Sequence, residues 1–318
     1  MNSPEFPHRR RPMARPWFLW RVRDGAASSR RRFEPRHCGR RVVRIGTAVL
    51  GILGAASAWG SGHQHLNAGA LGSGAGTPLS FINGDRFAAE SGYVVALEKA
   101  AGGSQAGLHR GTITLTSLPA TLDYGGPAFG HAAFGAHLAV IVESVTGPSG
   151  GRFGFWEGAD GEEGTILTFE VPVGEAEGTR QFALSETPGA PEDDPYGHIH
   201  GRVFTATAPG LYTVGLRLVD VSGNGLGGGP LHPPSALFRI QFQAGVTIAH
   251  LGQEGGQVRV TFGALTGYTY WLEQSEALGP DAIWMEAGGA VRGTDHLVEV
   301  VVPTAGGTRF FRLRRNPN

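Results

Sequence analysis

The sequence predicts an all-β protein, an antiparallel β-sandwich followed by a second, smaller β-sandwich. Two observations support this prediction. Short runs rich in β-branched and alternating apolar residues recur along the chain, and glycine, proline or aspartate separates one run from the next. No segment keeps a helical period, while 52 glycines are available for the turns that many short strands need.

The first group of predicted strands lies between residues 59 and 245 and forms the main domain. The clearest is 211–221, where Tyr212, Val214, Leu216 and Leu218 alternate with more polar residues and therefore share one buried face. Tyr212 follows a Pro-Gly turn, in the place of the corner tyrosine of immunoglobulin-like domains. We therefore expect an immunoglobulin-like or jelly-roll-like sandwich. Its predicted strands are 92–98, 111–116, 137–145, 165–171, 180–185, 198–207, 211–221 and 235–243.

A second group of strands occupies residues 246–318 and predicts a small C-terminal β domain. Its fifth strand places Val298, Val300 and Val302 on one face. The predicted strands are 246–251, 257–262, 268–274, 283–287, 297–303 and 308–313. The residues expected in its core are Tyr270, Trp284, Val298, Val300, Phe310 and Leu313.

Residues 1–58 have the pattern of an arginine-rich leader and a signal peptide. The first 44 residues hold 13 arginines and three acids, and the apolar run 45–58 ends in Ala-Ser-Ala. A membrane span needs about 20 apolar residues, so this run favours cleavage over the alternative of an uncleaved anchor. The long basic part suggests a true start downstream, at Met13 or another codon. We expect a bacterial protein that is secreted, periplasmic or on the cell surface, with no membrane span after cleavage.

Charge and cysteine content limit the possible partners of the chain and the ways in which its fold can be stabilised. Subtracting the first 44 residues leaves 14 basic residues (27 − 13) and 24 acidic ones (27 − 3), a net charge of −10. An acidic chain argues against nucleic acid as a partner, because phosphates require a basic surface. The one cysteine, Cys38, precedes the apolar run, so the exported part would have no disulfide and would depend on an ordinary core.

Two His-x-His motifs are the most informative chemical signal. They pair His63 with His65, and His198 with His200. On a β-strand such a pair lies on one face, and neutral imidazoles on one face are a simple beginning for a zinc or copper site. We expect these four residues to meet on one metal. The alternative is that each pair caps turns and bonds to the backbone.

Two more histidines could add to this set. His131 and His232 are the reserve ligands, since a tetrahedral zinc site needs three or four groups. Zinc is the cofactor that we expect first, and no other cofactor is predicted.

The main domain resembles the secreted bacterial surface-anchored domain of the choice-of-anchor type. The matching segments are Gly-His-Gln-His at 62–65, Gly-Gly-Arg-Phe-Gly-Phe-Trp-Glu at 150–157, and His-Ile-His-Gly-Arg-Val-Phe-Thr at 198–205 with Pro-Gly-Leu-Tyr at 209–212. Such domains occur near metal uptake systems, chiefly for zinc, so the resemblance implies a metal role. Residues 246–318 resemble a small C-terminal β-module that is common in exported bacterial proteins.

Other motif matches are better explained as loops. The Gly-x-Ser-x-Gly string at 147–151 lacks the following helix of a hydrolase, and the glycine-rich string at 223–228 opens no helix for a dinucleotide. Acidic loops at 160–163 and 192–194 lack the spacing of a calcium loop. A cupin would place a glutamate a few residues after His-x-His, and here Arg202 and Phe204 follow.

The sequence therefore predicts a non-enzymatic, exported β protein that binds a metal through paired histidines. The alternative is a structural or adhesive surface module that binds glycan or protein. An enzyme comes third, because the strand pattern shows no convincing pair of nucleophile and base.

Overall fold

Extended segments dominate the computed structural model, which describes residues 20–22, 64–72, 74–127, 129–158, 164–175, 180–199, 201–303 and 306–318. The prediction of an all-β protein is confirmed. In chain order the strands are β1 (Trp20–Val22), β2 (His65–Ala70), β3 (Leu79–Phe81), β4 (Val94–Lys99), β5 (His109–Gly111), β6 (Thr114–Ser117), β7 (Leu138–Thr146), β8 (Arg152–Glu157), β9 (Ile166–Pro172), β10 (Arg180–Ala183), β11 (Val203–Ala206), β12 (Gly210–Asp220), β13 (Phe238–Ala244), β14 (Ile248–Glu254), β15 (Gln257–Ala264), β16 (Tyr268–Ser275), β17 (Met285–Glu286), β18 (Val291–Arg292), β19 (His296–Pro303) and β20 (Arg309–Pro317).

Helical structure among these residues is confined to short turns. The one α-helix, α1, spans Gly84–Phe87, and 3-10 turns cover Ala89–Ser91, Leu122–Tyr124 and Leu226–Gly228. No helix in the described ranges is long and apolar enough to cross a membrane.

The main part of the molecule is a nine-stranded sheet that curls toward closure. Its order is β10-β7-β12-β13-β4-β5-β11-β8-β9, and β13 and β4 run parallel while its other pairs are antiparallel. Although β10 and β8 lie near opposite ends of this order, Phe155 and Phe182 stack with ring centres 4.1 Å apart. The sheet is therefore barrel-like, and its aromatic side chains fill the interior.

Strand β12 has the buried face that its sequence pattern predicts. Tyr212, Val214, Leu216 and Leu218 are all buried, as their alternation predicts. The Tyr212 hydroxyl donates to the carbonyl of Ala208 at 2.9 Å, across the turn that begins the strand. This is the geometry of a tyrosine corner, in which the hydroxyl bonds back to the preceding backbone.

A small sheet covers the main sheet on one side. Its order is β3-β2-β6, with β2 and β6 parallel. Leu66 of β2 and Leu115 of β6 belong to the same buried cluster as Val140 of β7. The small sheet is thus a second layer over one shared core, and it fixes the position of the first residue of β2, His65.

Residues 248–317, together with β1, form two more sheets around a separate apolar cluster. One sheet has the order β14-β15-β19, and the other β1-β20-β16-β17 with β18 also on β16. Phe262, Tyr270 and Phe311 are the largest side chains buried in this cluster. Whether residues 246–318 fold independently stays a prediction.

The two parts contact each other directly. Only residues 245–247 separate β13 from β14. The Leu297 amide donates to the Gly92 carbonyl at 2.7 Å. The Arg315 guanidinium donates to both carboxylate oxygens of Glu98, at 2.8 and 2.7 Å. The first contact joins the turn before β4 to β19, and the second joins β4 to the last strand, β20.

Two predicted core residues of the C-terminal part are wrong. Phe310 is only half-buried, and the next residue, Phe311, fills the core instead. Trp284 also lies outside the core cluster, with the Arg312 guanidinium 4.2 Å from its ring centre. Tyr270 is confirmed, and Val298, Val300 and Leu313 pack partly buried against the core.

The predicted leader lies outside the described residues except for β1. Trp20–Val22 pair antiparallel with Arg309–Phe311 at the edge of the β20 sheet. The prediction of a signal peptide over 1–58 stays a prediction.

Candidate functional site

One histidine of each His-x-His motif, His65 and His198, lies at the edge of the small sheet. The imidazole rings of His65 and His198 have centres 4.7 Å apart and planes at 90°. Both side chains are half-buried. Two residues far apart in the sequence are therefore neighbours in the fold, as the metal hypothesis requires. His63 and His200 lie outside the described residues.

Strand β6 is the element that brings the two rings together. His65 begins β2, which pairs in parallel with one edge of β6. On the other side of β6, Ser117 exchanges backbone hydrogen bonds with Gly197, at 2.9 and 3.2 Å. Because His198 follows Gly197 directly, its ring is placed beside that of His65.

Neighbouring polar groups hold the histidines in position. The Nδ1 of His65 lies 2.8 Å from the hydroxyl of Thr116, which is itself buried. The side-chain amide of Asn83 donates to the His65 carbonyl at 2.8 Å. The backbone amide of His198 donates to a carboxylate oxygen of Glu186 at 2.7 Å. The Thr116 contact fixes the orientation of the His65 ring, and the other two contacts fix the backbone of the histidines.

The expectation that His198 lies on a strand is wrong. The strand predicted over 198–207 begins at Val203. Gly201 has φ of 83°, a left-handed conformation that breaks extended backbone. The His198 amide is engaged by Glu186 and does not belong to a strand ladder. His198 therefore reaches His65 from a loop.

Both ring nitrogens of His232 are hydrogen-bonded to backbone groups. Its Nδ1 donates to the carbonyl of Thr77 at 2.8 Å, and its Nε2 accepts the amide of Ala133 at 2.9 Å. The side chain is only 1% exposed. Both nitrogens are used by the backbone, so His232 holds two loops together and has no lone pair left for a metal.

The backbone engages one ring nitrogen of His131, Nδ1, and leaves Nε2 available to a ligand. Its Nδ1 donates to the carbonyl of Ala132 at 2.8 Å, which leaves Nε2 as the unprotonated nitrogen in the neutral ring. Across the described ranges, no three residues of the histidine, cysteine, aspartate and glutamate types form a group that could hold a metal. The described part of the chain thus brings together two of the predicted ligands, His65 and His198.

The loop that carries His198 also contains features that the sequence did not indicate. The carboxylate of Asp194 accepts the backbone amides of Ala120 and Tyr196, at 3.1 and 2.9 Å. The Tyr196 ring stacks on Tyr124 with centres 4.5 Å apart. Burial, followed by the charge of Glu186, raises the pKa of Tyr196. The Asp194 carboxylate thus joins the backbone of the 194–196 turn to that of Ala120.

The two glycine-rich motif matches are loops, as expected. The string at 147–151 is the turn between β7 and β8, closed by the Gly151 amide on the Pro148 carbonyl at 2.9 Å. The string at 223–228 contains a 3-10 turn and opens no α-helix. The acidic stretch 160–163 lies outside the described residues.

Neither a protein-family model nor a curated protein matches this chain.

Proposed function

We propose that this protein binds a transition metal, zinc first, through the histidine pair His65 and His198. One observation carries the proposal: both rings come from His-x-His motifs, and their centres lie 4.7 Å apart. His63 and His200 complete the two motifs in the sequence, and we include them in the proposal on that ground alone.

The spacing of the two rings suits a shared ion. Two imidazoles bound to one tetrahedral zinc, with Zn–N bonds of about 2.0 Å, place their ring centres roughly 5 Å apart. The distance between His65 and His198 is close to this value. Joint coordination would require the two rings to turn from their present edge-to-face contact.

The partners of the rings favour the same chemistry. A metal-binding histidine usually bonds through its second nitrogen to an oxygen, which fixes the ring and its tautomer. Thr116 stands in that position for His65, on Nδ1, so Nε2 would be the ligand atom. Glu186 supplies a negative charge next to His198, which lowers the cost of holding a cation there.

Calorimetric titration of the purified full-length chain with zinc, copper and nickel tests the proposal. A ligand present at 100 times its dissociation constant stabilises the native state by about 2.7 kcal/mol, which corresponds to a rise of roughly 5–10 °C in Tm. Because metal ligands must be unprotonated and an ordinary imidazole titrates near pH 6.5, the affinity should fall below about pH 6.

Substitutions separate this site from nonspecific binding by histidine. We expect the double change His65→Ala and His198→Ala to abolish zinc binding. Thr116→Val should weaken it by about 10- to 100-fold, the usual effect of losing such a partner. The control is His250→Ala, since His250 is an exposed histidine on β14 of the C-terminal part.

The same titration can contradict the proposal. Dissociation constants weaker than about 1 mM for all three metals would leave only nonspecific binding. Equal losses of affinity in the His250 control and the double variant would also contradict it, because the metal would then bind to histidines in general. His63→Ala with His200→Ala then asks whether the outer histidines complete the set.

A structural or adhesive module is the second candidate function. Loops of the main part expose large apolar side chains, among them Leu122, Phe129 and Leu226. Exposed apolar residues on loops are common at contacts with other proteins. Wild-type binding to cell-surface material that persists after chelation would favour this candidate over metal binding.

A further inference from the structure

A buried arginine near the end of the β8–β9 hairpin has hydrogen-bond donors that no described residue accepts. Arg202 is only 7% exposed. Its Nη2 donates to the carbonyl of Ala183, and its guanidinium lies 5.4 Å from the ring centre of Phe182. Nε and Nη1 are buried and have no hydrogen-bond partner within the described ranges. Unsatisfied buried donors are costly, so they call for an explanation.

Arg202 faces a cavity of about 370 Å³. Its lining residues are Glu157, Gly158, Ile166, Thr168, Ile199 and Arg202. We name this cavity the Arg202 pocket. It lies at the loop end of the hairpin, where the last residue of β8, Glu157, pairs with the first residue of β9, Ile166. Its volume falls in the lower part of the range of about 300–1,000 Å³ that is typical of small-molecule sites.

The polar wall of the pocket presents donors and acceptors side by side. One carboxylate oxygen of Glu157 lies 3.6 Å from Nε of Arg202, within ion-pair distance but too far for a hydrogen bond. The other oxygen of Glu157 accepts the hydroxyl of Thr168 at 3.0 Å. Burial lowers the pKa of Arg202, and the charges of Glu157 and then Glu186 oppose that shift. Nearby carboxylate groups therefore stabilise the charged form of the Arg202 guanidinium.

The charges of the pocket select the kind of ligand. An anion would be attracted by Arg202 but repelled by Glu157, and a cation would meet the reverse. A hydroxyl group suits both, because it accepts from a guanidinium and donates to a carboxylate. Ile166 and Ile199 add an apolar wall, which suits the C–H face of a ring.

We propose that the Arg202 pocket binds one neutral sugar residue of a glycan. Neighbouring ring hydroxyls accept from Arg202 and donate to Glu157, while Thr168 contributes a further hydroxyl contact. The isoleucines pack against the sugar ring. This inference does not depend on the metal proposal, since none of the lining residues belongs to the histidine pair.

Saturation-transfer NMR on the full-length chain, with methyl glycosides of glucose, galactose, mannose and N-acetylglucosamine as probes, tests the inference. Acetate and sulfate serve as anionic probes. We expect at least one glycoside to bind, and neither anion to bind. Glu157→Gln and Thr168→Val should each weaken the binding of that glycoside by about tenfold, the effect of one hydrogen bond of about 1.4 kcal/mol.

Thr146→Val is the matched control, because Thr146 is an exposed threonine on β7 that does not line the pocket. Thr168 is also exposed at the surface of its strand, so both variants should keep the wild-type Tm. Failure of every glycoside to bind would overturn the inference. Binding of acetate or sulfate in place of glycosides would also overturn it, in favour of an anion site. A glycoside affinity that Glu157→Gln and Thr168→Val leave unchanged would place the sugar elsewhere.

Discussion

Glu273 on β16 is held between two arginines of β20, and replacing it should cost more than replacing an ordinary surface glutamate. Its two carboxylate oxygens accept from Nε of Arg312 at 2.6 Å and Nε of Arg314 at 2.8 Å. Glu273 is only 7% exposed. Each arginine in turn lies over a tryptophan, Arg312 at 4.2 Å from the ring centre of Trp284 and Arg314 at 4.3 Å from that of Trp271.

The size of the effect of Glu273→Gln follows from these contacts. A hydrogen bond to a charged group contributes about 1.5–3 kcal/mol, and glutamine keeps an oxygen for only one of the two arginines. The arginine side chains are 21% and 33% exposed, so water screens part of the loss. We expect a loss of about 2 kcal/mol in the free energy of unfolding. With a urea slope of about 2 kcal/mol per molar, the midpoint falls by roughly 1 M.

The same residue gives a pH dependence with a definite sign. Burial alone would raise the pKa of Glu273, but the hydrogen bonds and charges of Arg314 and Arg312 outweigh it, and its pKa lies below the ordinary value. The native state therefore binds fewer protons than the unfolded chain between the two pKa values. Stability from this site is complete above the unfolded value of about 4.3, and it is lost as the pH falls through the folded value.

Urea unfolding followed by tryptophan fluorescence at pH 7 and near pH 3.5 measures both effects. The matched control is Glu299→Gln, because Glu299 pairs with Arg259 at 2.6 Å but both side chains are more than 40% exposed. We expect less than about 1 kcal/mol from the control. If the two variants lose equal stability at pH 7, or if the gap between wild type and Glu273→Gln persists unchanged in acid, the reasoning is refuted.

Two further predictions concern the main part. Tyr212→Phe should lower the free energy of unfolding by about 1–3 kcal/mol in urea denaturation, because it leaves the part-buried Ala208 carbonyl without its donor. A loss below about 0.5 kcal/mol would contradict the role of the corner. Burial, followed by the charge of Lys99, lowers the pKa of His109. The unfolded chain therefore binds a proton at higher pH than the native state, so stability from this site is complete above about pH 6.5 and falls below it, with a slope of at most about 1.4 kcal/mol per pH unit. His109→Gln should flatten that slope between pH 7 and 5, and an unchanged slope would show that His109 does not cause it.

Local alternation predicted the fold well where one face of a strand is buried along its whole length. In β12 the pattern alone identified four of the buried residues, one of which is the corner tyrosine. In β20 the sequence does not indicate which of the adjacent Phe310 and Phe311 faces the core, because neighbouring residues of a strand point to opposite faces. The pairing with β16 determines the buried residue by setting Phe311 opposite Gln274, and this register cannot be read from the sequence of β20 itself.

The candidate site was predictable in its residue types and not in its geometry. The repeated His-x-His spacing drew attention to His65 and His198, whose ring centres lie 4.7 Å apart, and their joint binding of a metal stays a prediction. The sequence placed His198 on a strand, whereas the left-handed Gly201 leaves it in a loop. The Arg202 pocket was missed because its donors become notable only when burial and partners are known.

The contacts between the main part and the C-terminal part set the orientation of one relative to the other. Glu98 and Arg315 connect β4 to the final strand, and the backbone bond from Leu297 to Gly92 adds a second point of attachment. Two separated points of attachment oppose rotation of one part about the other. A partner that held the C-terminal strand would thereby also orient the histidine pair and the Arg202 pocket, so that binding at one end of the protein would determine the direction in which its other surfaces face.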